Sequence, residues 1–203
     1  MRAVLDEALV CHVGFVVDGA PRVLPTIHAR VGDRLYLHGS TGTPLVRLAA
    51  AGGAPVCVTV TLVDGLVLAR SQFESSMNYR SVVAHGVARL VTDPGERAAA
   101  LSAIVEHVAP GRAATSRAGT PRELAATAVL ALDLDEVSVK SRTGDVEDDP
   151  ADLDGPYWAG VVPVETRFGA PVAAADLRPG IEVPAHLGNY RRPGPATVSG
   201  PAR

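Results

Sequence analysis

The sequence predicts a mainly β protein with a few short helices, built around an antiparallel meander. Three dipeptides, Asp18-Gly19, Gly32-Asp33 and Asp64-Gly65, separate β-branched or apolar runs, as two-residue hairpin turns require. Apolar and polar residues alternate on both sides of these dipeptides, which is typical of half-buried strands. Strands are therefore predicted over residues 11–17, 22–31, 34–39, 55–63, 66–72 and 78–91.

The two sides of the predicted 55–72 hairpin differ in character. With a turn at Asp64-Gly65, apolar side chains at 58, 60 and 62 share a side with residue 67, and this side is predicted to face the core. The other side carries Cys57, Thr59 and Thr61, which is too mixed for a deep core and too regular for a purely solvated surface. This side is predicted to be either a subunit interface or the wall of a ligand site.

The sequence predicts the N-termini of three helices. Each has proline at the first helical position, where the backbone N–H that proline lacks would have no intrahelical partner. The first begins at Thr43-Pro44 and is predicted to end at Gly52-Gly53. The other two begin after Asp93 and Thr120, and a glutamate three residues beyond each cap predicts a capping box.

The chain is predicted to contain one domain and an extension. Residues 1–165 form the domain, with renewed strand character over 128–140 and an acidic, breaker-rich loop over 144–156 that is expected to be exposed. Residues 166–203 form a Pro/Gly-rich C-terminal extension, and its tail, 191–203, is predicted to be disordered.

The charge, the cysteine content and the lack of long apolar runs exclude several classes of partner and location. The 203 residues carry a net charge of −3 with a pI near 6.1, so neither nucleic acid nor a membrane surface is an expected partner. Cys11 and Cys57 are the only cysteines, and their apolar surroundings predict buried free thiols in a reducing compartment. No signal peptide and no apolar run of about 20 residues is evident, so a cytoplasmic location is predicted.

A hydroxyl-rich turn at the start of the first predicted helix is a candidate anion site. Ser40, Thr41 and Thr43 supply hydroxyl donors there, and Arg47 follows one turn later. Backbone N–H groups at such a turn favour a phosphate. The alternative is that Thr43 only caps the helix and the other hydroxyls face water.

The histidines do not predict a metal site. The Gly32-Asp33 turn places His28 opposite Leu37 and His38 opposite Ile27, on opposite faces of the hairpin. The remaining histidines lack ligand spacing, so structural or surface roles are predicted for most of them.

A polar cluster at 77–81 interrupts the last predicted strand of the meander. Alternation sends Tyr79 and Ser81 to one side, and Asn78 and Arg80 to the other. The Arg80 guanidinium could meet a planar heteroaromatic ring or a phosphate. Alternatively, Arg80 pairs at the surface with an acidic residue such as Glu74.

Six segments, taken in combination and order, form a recognisable pattern: 14–26, 32–40, 56–71, 76–83, 140–144 and 158–163. This pattern resembles the pyridoxamine 5′-phosphate oxidase-like flavin-binding proteins, in particular the nitroimidazole-reductase-like branch. The resemblance implies a six-stranded antiparallel split β-barrel of the FMN-binding type. It also implies a homodimer that holds FMN at the subunit interface, with a small molecule as substrate.

The resemblance further implies a flavin-dependent oxidoreductase and assigns candidate residues by position. The residues implied to contact FMN are Arg22, Pro25, Thr26, His38, Gly39, Ser40, Thr41, Thr43, Arg47, Tyr79, Arg80, Ser81 and Trp158. Phe73 and Glu74 are candidates for substrate contact, and His28, Glu74 and Asn78 are candidates for proton transfer.

The sequence departs from the family in two places. The 41–44 stretch, Thr-Gly-Thr-Pro, lacks the basic residue usual after the His-Gly-Ser motif, and Phe73-Glu74-Ser75 replaces residues that are often histidine. An alternative function follows, in which the barrel has lost FMN and serves as a cofactor-independent enzyme or as a binder of haem or another small ligand.

Overall fold

The computed structural model describes residues 1–188, 190 and 191, and the described chain is predominantly β. The strands are β1 Val10–Val17, β2 Ala20–Val31, β3 Arg34–Ser40, β4 Ala54–Leu68, β5 Ser76–Leu90, β6 Thr127–Asp133, β7 Glu136–Arg142 and β8 Gly160–Pro163. The helices are α1 Arg2–Glu7, α2 Pro44–Ala50, α3 Pro94–Val108, α4 Pro121–Ala126 and α5 Ala185–Gly188.

Six of the strands close into a ring. The sheet order is β7-β5-β6-β3-β2-β1-β4-β8, and an additional pairing of β5 with β4 joins the two ends. The ring therefore runs β1-β2-β3-β6-β5-β4, while β7 and β8 extend it beside β5 and β4. All of these pairings are antiparallel, which confirms the predicted split barrel.

The interior of the ring is filled by the inward-facing half of each strand. On β4 the alternation leaves Val56, Val58 and Val60 almost fully buried, as predicted for the core side of this segment. Cys11 and Val13 on β1 are also inside. Each valine buried in this way contributes about 1.5–3 kcal/mol of transfer free energy.

Three helices complete the core. The apolar side chains of α1 and α2, among them Leu5 and Leu45, join the interior cluster. On the outside, α3 packs against β2, β3 and β6 and forms a second cluster with residues such as Tyr36, Ile104 and Val129. The outer sides of β1, β4 and β5 have no such helix within residues 1–188.

Two of the three predicted turns are confirmed. Asp18-Gly19 links β1 to β2 with both residues at positive φ, and Gly32-Asp33 links β2 to β3. The prediction at Asp64-Gly65 is wrong, because β4 continues through it and pairs with β5 along its length.

The Asp64-Gly65 pair instead marks a bulge, where the register shifts between Val63 and Gly65. A Cβ atom at Gly65 would lie 3.2 Å from a Val161 side-chain carbon, so glycine here lets β8 approach closely. The link between β4 and β5 is the 69–75 loop, and no separate 66–72 strand forms.

The predicted helix starts are all present, but their caps differ. Thr120 and Glu123 form the predicted capping box. Asp93 accepts a hydrogen bond from the Glu96 N–H, whereas the Glu96 carboxylate binds Tyr36, Arg34 and Arg89 instead of closing the box. Thr43 makes no side-chain capping bond.

The remaining predictions concern the C-terminal half. The predicted 128–140 strand is two strands, β6 and β7. The 144–156 loop is not uniformly exposed, because the Asp148 carboxylate has an exposed fraction of 1% and binds Arg70. Residues 166–184 form no helix or strand. Of the tail predicted to be disordered, all but residue 191 lies outside the described residues.

Candidate functional site

The outer side of three neighbouring strands forms an uncovered surface, here called the open sheet face. Its members are the outward-facing residues of β1, β4 and β5: His12, Gly14, Cys57, Thr59, Thr61, Tyr79, Ser81, Val83 and His85. Their inward-facing neighbours, such as Val13, Val58 and Val82, are buried, so strand alternation fixes which side each member occupies.

Two cross-strand rows give the open sheet face its chemistry. In one row, Gly14, Cys57, His85 and Glu136 stand directly opposite one another on β1, β4, β5 and β7. In the other, Thr61, Ser81 and Lys140 do so on β4, β5 and β7. Directly opposed side chains on neighbouring strands have Cβ atoms about 4.5–5.5 Å apart, so each row can act on one ligand.

The hydroxyl-rich turn after β3 is a second candidate surface, here called the hydroxyl turn and consisting of residues 38–43. The N–H groups of Thr41 and Thr43 donate to the carbonyls of Ala126 and Ser40, so two of the backbone donors of the turn are already hydrogen-bonded within the chain. The three hydroxyls at 40, 41 and 43 make no hydrogen bond to other described residues. They stay available to an anion.

His38 and Arg47 flank the hydroxyl turn. His38 points outward beside Val129, and its Nδ1 atom is buried without a hydrogen-bond partner among the described residues. A buried polar atom without a partner costs free energy, so this atom suits a ligand group that can complete its bonding. Arg47 is exposed and forms no ion pair within the described chain.

The hydroxyl turn and the open sheet face do not meet in one chain. The turn follows β3, which lies three places from β4 and two places from β5 in the six-stranded ring. The strand between them, β6, pairs with β5 only at Arg89 and Leu90, so Tyr79 and Ser81 lie far along β5 from the end of the barrel that carries Ser40. The structure of the single chain does not bring together the two groups that the resemblance assigns to FMN.

Arg80 occupies a different position from the one predicted. Alternation turns it away from Tyr79 and Ser81, and its guanidinium lies between two carboxylates. It donates to Asp64 at 2.7 Å and 2.7 Å and to Glu7 at 2.5 Å and 2.8 Å. These bonds, first those to Asp64 and then those to Glu7, raise the Arg80 pKa.

The predicted contact between Arg80 and the cofactor stays a prediction, and the geometry favours a structural role for this arginine. Every guanidinium nitrogen is already bonded to a carboxylate. The alternative prediction, that Arg80 pairs with an acidic residue, is confirmed, but the partners are Glu7 and Asp64 rather than Glu74. The cluster ties α1 to the β4 bulge.

Arg22, Pro25 and Thr26 lie on β2, between its turn with β1 and the start of its pairing with β3. Residues 21–25 are exposed on both sides of the strand, including Val23 and Leu24. Pro25 stands opposite His12, so it adjoins the open sheet face, whereas Arg22 and Thr26 point to the other side.

His28 lies where no substrate can reach it in this structure. Its side chain is fully buried, its Nε2 atom lies 2.9 Å from the Leu5 carbonyl oxygen, and its ring packs 4.8 Å from that of His107. The predicted opposition to Leu37 is confirmed. These contacts join α1 and α3 to the barrel and give His28 a structural role, while its part in proton transfer stays a prediction.

The substrate candidates Phe73 and Glu74 lie in the 69–75 loop. Phe73 has an exposed fraction of 90%, and the Glu74 N–H donates to the Ser71 hydroxyl at 3.1 Å. Asn78 is held by the chain itself, since it donates to the Gly144 carbonyl and accepts from Arg142, both at 2.9 Å. These contacts give Asn78 a structural role.

Trp158 lies beside the same end of the barrel as this loop. It precedes β8, which pairs with β4 at residues 65–68, and the residue has an exposed fraction of 67%. Nothing in the described chain places it over the open sheet face.

Sequence reasoning missed part of the open sheet face. His12, His85 and Lys140 were not singled out as site residues, because exposed histidines and lysines are common and their shared side depends on long-range register. The mixed character of Cys57, Thr59 and Thr61 was the signal that could have led to them.

A family model described as pyridoxamine 5′-phosphate oxidase matches residues 1–141. The chain belongs to this family. The predicted resemblance is thereby confirmed, and with it a relationship to flavin-binding proteins. Among curated proteins, none matches the chain.

Solved structures of the family's members extend the similarity to most of the chain. The FAD and heme binding protein from Mycobacterium smegmatis is 43% identical, with a TM-score of 0.86, over 91% of this chain and 90% of that one. The flavocytochrome Anf3 from Azotobacter vinelandii is 36% identical, with a TM-score of 0.87, over 95% of this chain and 89% of that one.

A proposed 5-nitroimidazole antibiotic resistance protein from Bacteroides thetaiotaomicron shares the fold at 22% identity. Its TM-score is 0.57, over 68% of this chain and 80% of that one. Separately, none of the helices in residues 1–188 has the length and apolar character needed to span a bilayer.

Proposed function

We propose that this protein is an oxidoreductase that binds both a flavin and haem and passes electrons between them and a small molecule. The observation that carries the proposal is the similarity, over about nine-tenths of both chains, to a protein named for FAD and haem binding. A bound flavin supplies hydride or single-electron transfer, and haem supplies single-electron transfer.

The hydroxyl turn suits the phosphate of a flavin. The unpaired Nδ1 of His38 and the free hydroxyls of Ser40, Thr41 and Thr43 supply hydrogen-bonding groups, and exposed Arg47 supplies charge. Arg47 thus compensates for the basic residue that the turn itself lacks. The flavin is proposed to be FAD, because the relative with 43% identity is named for FAD, and FMN is the alternative.

The open sheet face suits the wall of a shared site in a homodimer. It is uncovered in the chain, and the exposed apolar side chains of Val10, Val16 and Val23 lie on the same side of β1 and β2. Since Ser40 and Ser81 are well separated within one barrel, a flavin that contacts both is proposed to take them from different chains. A two-fold dimer would create two such sites.

The cofactor content of the purified protein tests the proposal. We expect flavin absorbance together with a haem Soret band, and release of FAD rather than FMN on acid denaturation. Colourless protein that binds neither added flavin nor added haemin would refute it. Ser40→Glu should weaken flavin binding by repelling phosphate, whereas Ser102→Glu on the exposed side of α3 is the matched control and should not.

Mixing two defective variants tests the shared site. Ser40→Glu damages the hydroxyl turn, and Ser81→Trp blocks the open sheet face. Each variant alone should lose flavin binding, but a mixed dimer has one site without either change. After unfolding and joint refolding in equal amounts, about one quarter of all sites should bind flavin if the dimer is two-fold. No recovery in proven mixed dimers would contradict a site built from two chains.

A further inference from the structure

His85 is an exposed imidazole at the centre of one cross-strand row. It projects from β5 onto the open sheet face and makes no hydrogen bond to another described residue. The neighbouring members of the row are Cys57 on β4 and Glu136 on β7. Gly14 lies beyond Cys57 and has no side chain, so nothing projects from the sheet at that position of the row.

The surroundings of His85 are apolar along the strand. Val83 and Val87 stand two residues away on the same side of β5, and Val87 has an exposed fraction of 58%. Exposed Pro55 lies directly opposite Val87 on β4. Apolar side chains beside an exposed imidazole suit a porphyrin, because its ring is apolar and its iron takes a nitrogen ligand.

Glu136 gives the imidazole a carboxylate neighbour. It stands directly opposite His85 on β7, so the two Cβ atoms are about 4.5–5.5 Å apart. A metal-bound histidine commonly donates its second ring N–H to a carboxylate, which orients the ring and raises its basicity. Glu136 is exposed and forms no ion pair within the described chain, so it is available for this bond.

We propose that His85 is the axial ligand of the haem iron and that Glu136 positions its ring. This assignment rests on the haem binding proposed above. The other imidazole of the open sheet face, His12, has Pro25 and Thr59 opposite it and no carboxylate in its row. His28 and His107 lie against carbonyl oxygens of the chain and are less accessible.

Titration of the full-length chain with haemin, followed in the Soret region, tests the assignment. His85→Gly should weaken haemin binding at least about tenfold and change the Soret and visible bands, because the iron loses its nitrogen ligand. Added imidazole should restore the wild-type bands in this variant. His85→Gln is a second variant that keeps a side chain at this strand position.

Matched controls separate ligation from other effects. Ser102→Ala, on the exposed side of α3, is the control and should leave the bands and the affinity unchanged. His12→Gly and Cys57→Ser, both on the open sheet face, test the two competing ligands. Glu136→Gln should keep the bands but raise the haem reduction potential and weaken haemin binding about 10-fold, because the ligand becomes less basic.

The outcomes distinguish two failures. If the wild-type chain binds no haemin, the proposed haem function fails and this assignment fails with it. If the wild type binds haemin and the folded His85 variants keep its bands and affinity, only the assignment is overturned. Loss of the bands in Cys57→Ser or His12→Gly, but not in His85→Gly, would overturn it in favour of that residue.

Discussion

Arg80→Met separates a structural role for this arginine from cofactor binding. The change removes the charge but keeps an unbranched side chain, and it takes away the guanidinium that lies between Glu7 and Asp64. The three side chains have exposed fractions of only 15–17%, so solvent screens the two carboxylates weakly. Removing one partner of a buried ion pair costs about 3–5 kcal/mol, and the partial exposure favours the lower value.

The assay is urea and thermal unfolding followed by circular dichroism. For a chain of this size, a loss of about 3 kcal/mol lowers Tm by about 6–12 °C. Adding Glu7→Gln and Asp64→Asn to Arg80→Met should recover part of the loss, because the uncompensated charges disappear. Flavin affinity of the folded variant should stay close to that of the wild type.

Arg47→Met is the matched control, since Arg47 is exposed and forms no ion pair in the described chain. It should leave Tm unchanged within about 1–2 °C, as is usual for an exposed surface substitution. It should weaken flavin binding, because the phosphate loses a cation. An Arg80→Met variant with wild-type stability and impaired flavin binding would refute the structural role and restore the sequence-based prediction.

Four further predictions concern buried and half-buried residues. Burial raises the Cys11 pKa to about 12, so iodoacetamide at pH 8 should label half-buried Cys57 and reach Cys11 only after unfolding. The raised pKa stabilises the fold below pH 9, and stability should fall as the pH rises from 9 towards 12. Tyr36→Phe removes a 2.8 Å bond to Glu96 and should cost about 1 kcal/mol in urea unfolding; an unchanged midpoint would contradict this. Gly53→Ala would place a Cβ 2.5 Å from a valine carbon at φ +114°, and a thermal melt should show a loss of about 1–3 kcal/mol rather than a gain.

The sequence predicted the local features of the fold well, because they depend on near neighbours. Alternation identified the core side of β4, and turn chemistry located the β1–β2 and β2–β3 hairpins. The Asp64-Gly65 signal failed because a bulge and a hairpin turn both favour this dipeptide. Only the pairing of the whole of β4 with β5 distinguishes them, and that pairing depends on the closed ring.

The candidate site was predictable as segments but not as an arrangement. The hydroxyl turn and the 77–81 cluster were both recognised, yet their separation around the ring depends on the β3–β6 and β4–β5 pairings. The partner of Arg80 could not be found from neighbouring residues either, because Glu7 is 73 positions away. Alternation alone did place Arg80 on the side away from Tyr79 and Ser81.

The Arg80 cluster also limits where an anionic cofactor can lie. Every guanidinium nitrogen of Arg80 is bonded to Glu7 or Asp64, so the cluster has no N–H donor left to hold a phosphate. The charge on a flavin phosphate must be met by cations without acidic partners, and Arg47 beside the hydroxyl turn and Lys140 beside Ser81 have none among the described residues. These two cations belong to separate parts of the barrel, because Arg47 follows β3 whereas Lys140 lies on β7 opposite Ser81. An FAD diphosphate held by both would therefore draw on two chains, which is why the mixed-dimer experiment tests the cofactor site and the assembly together.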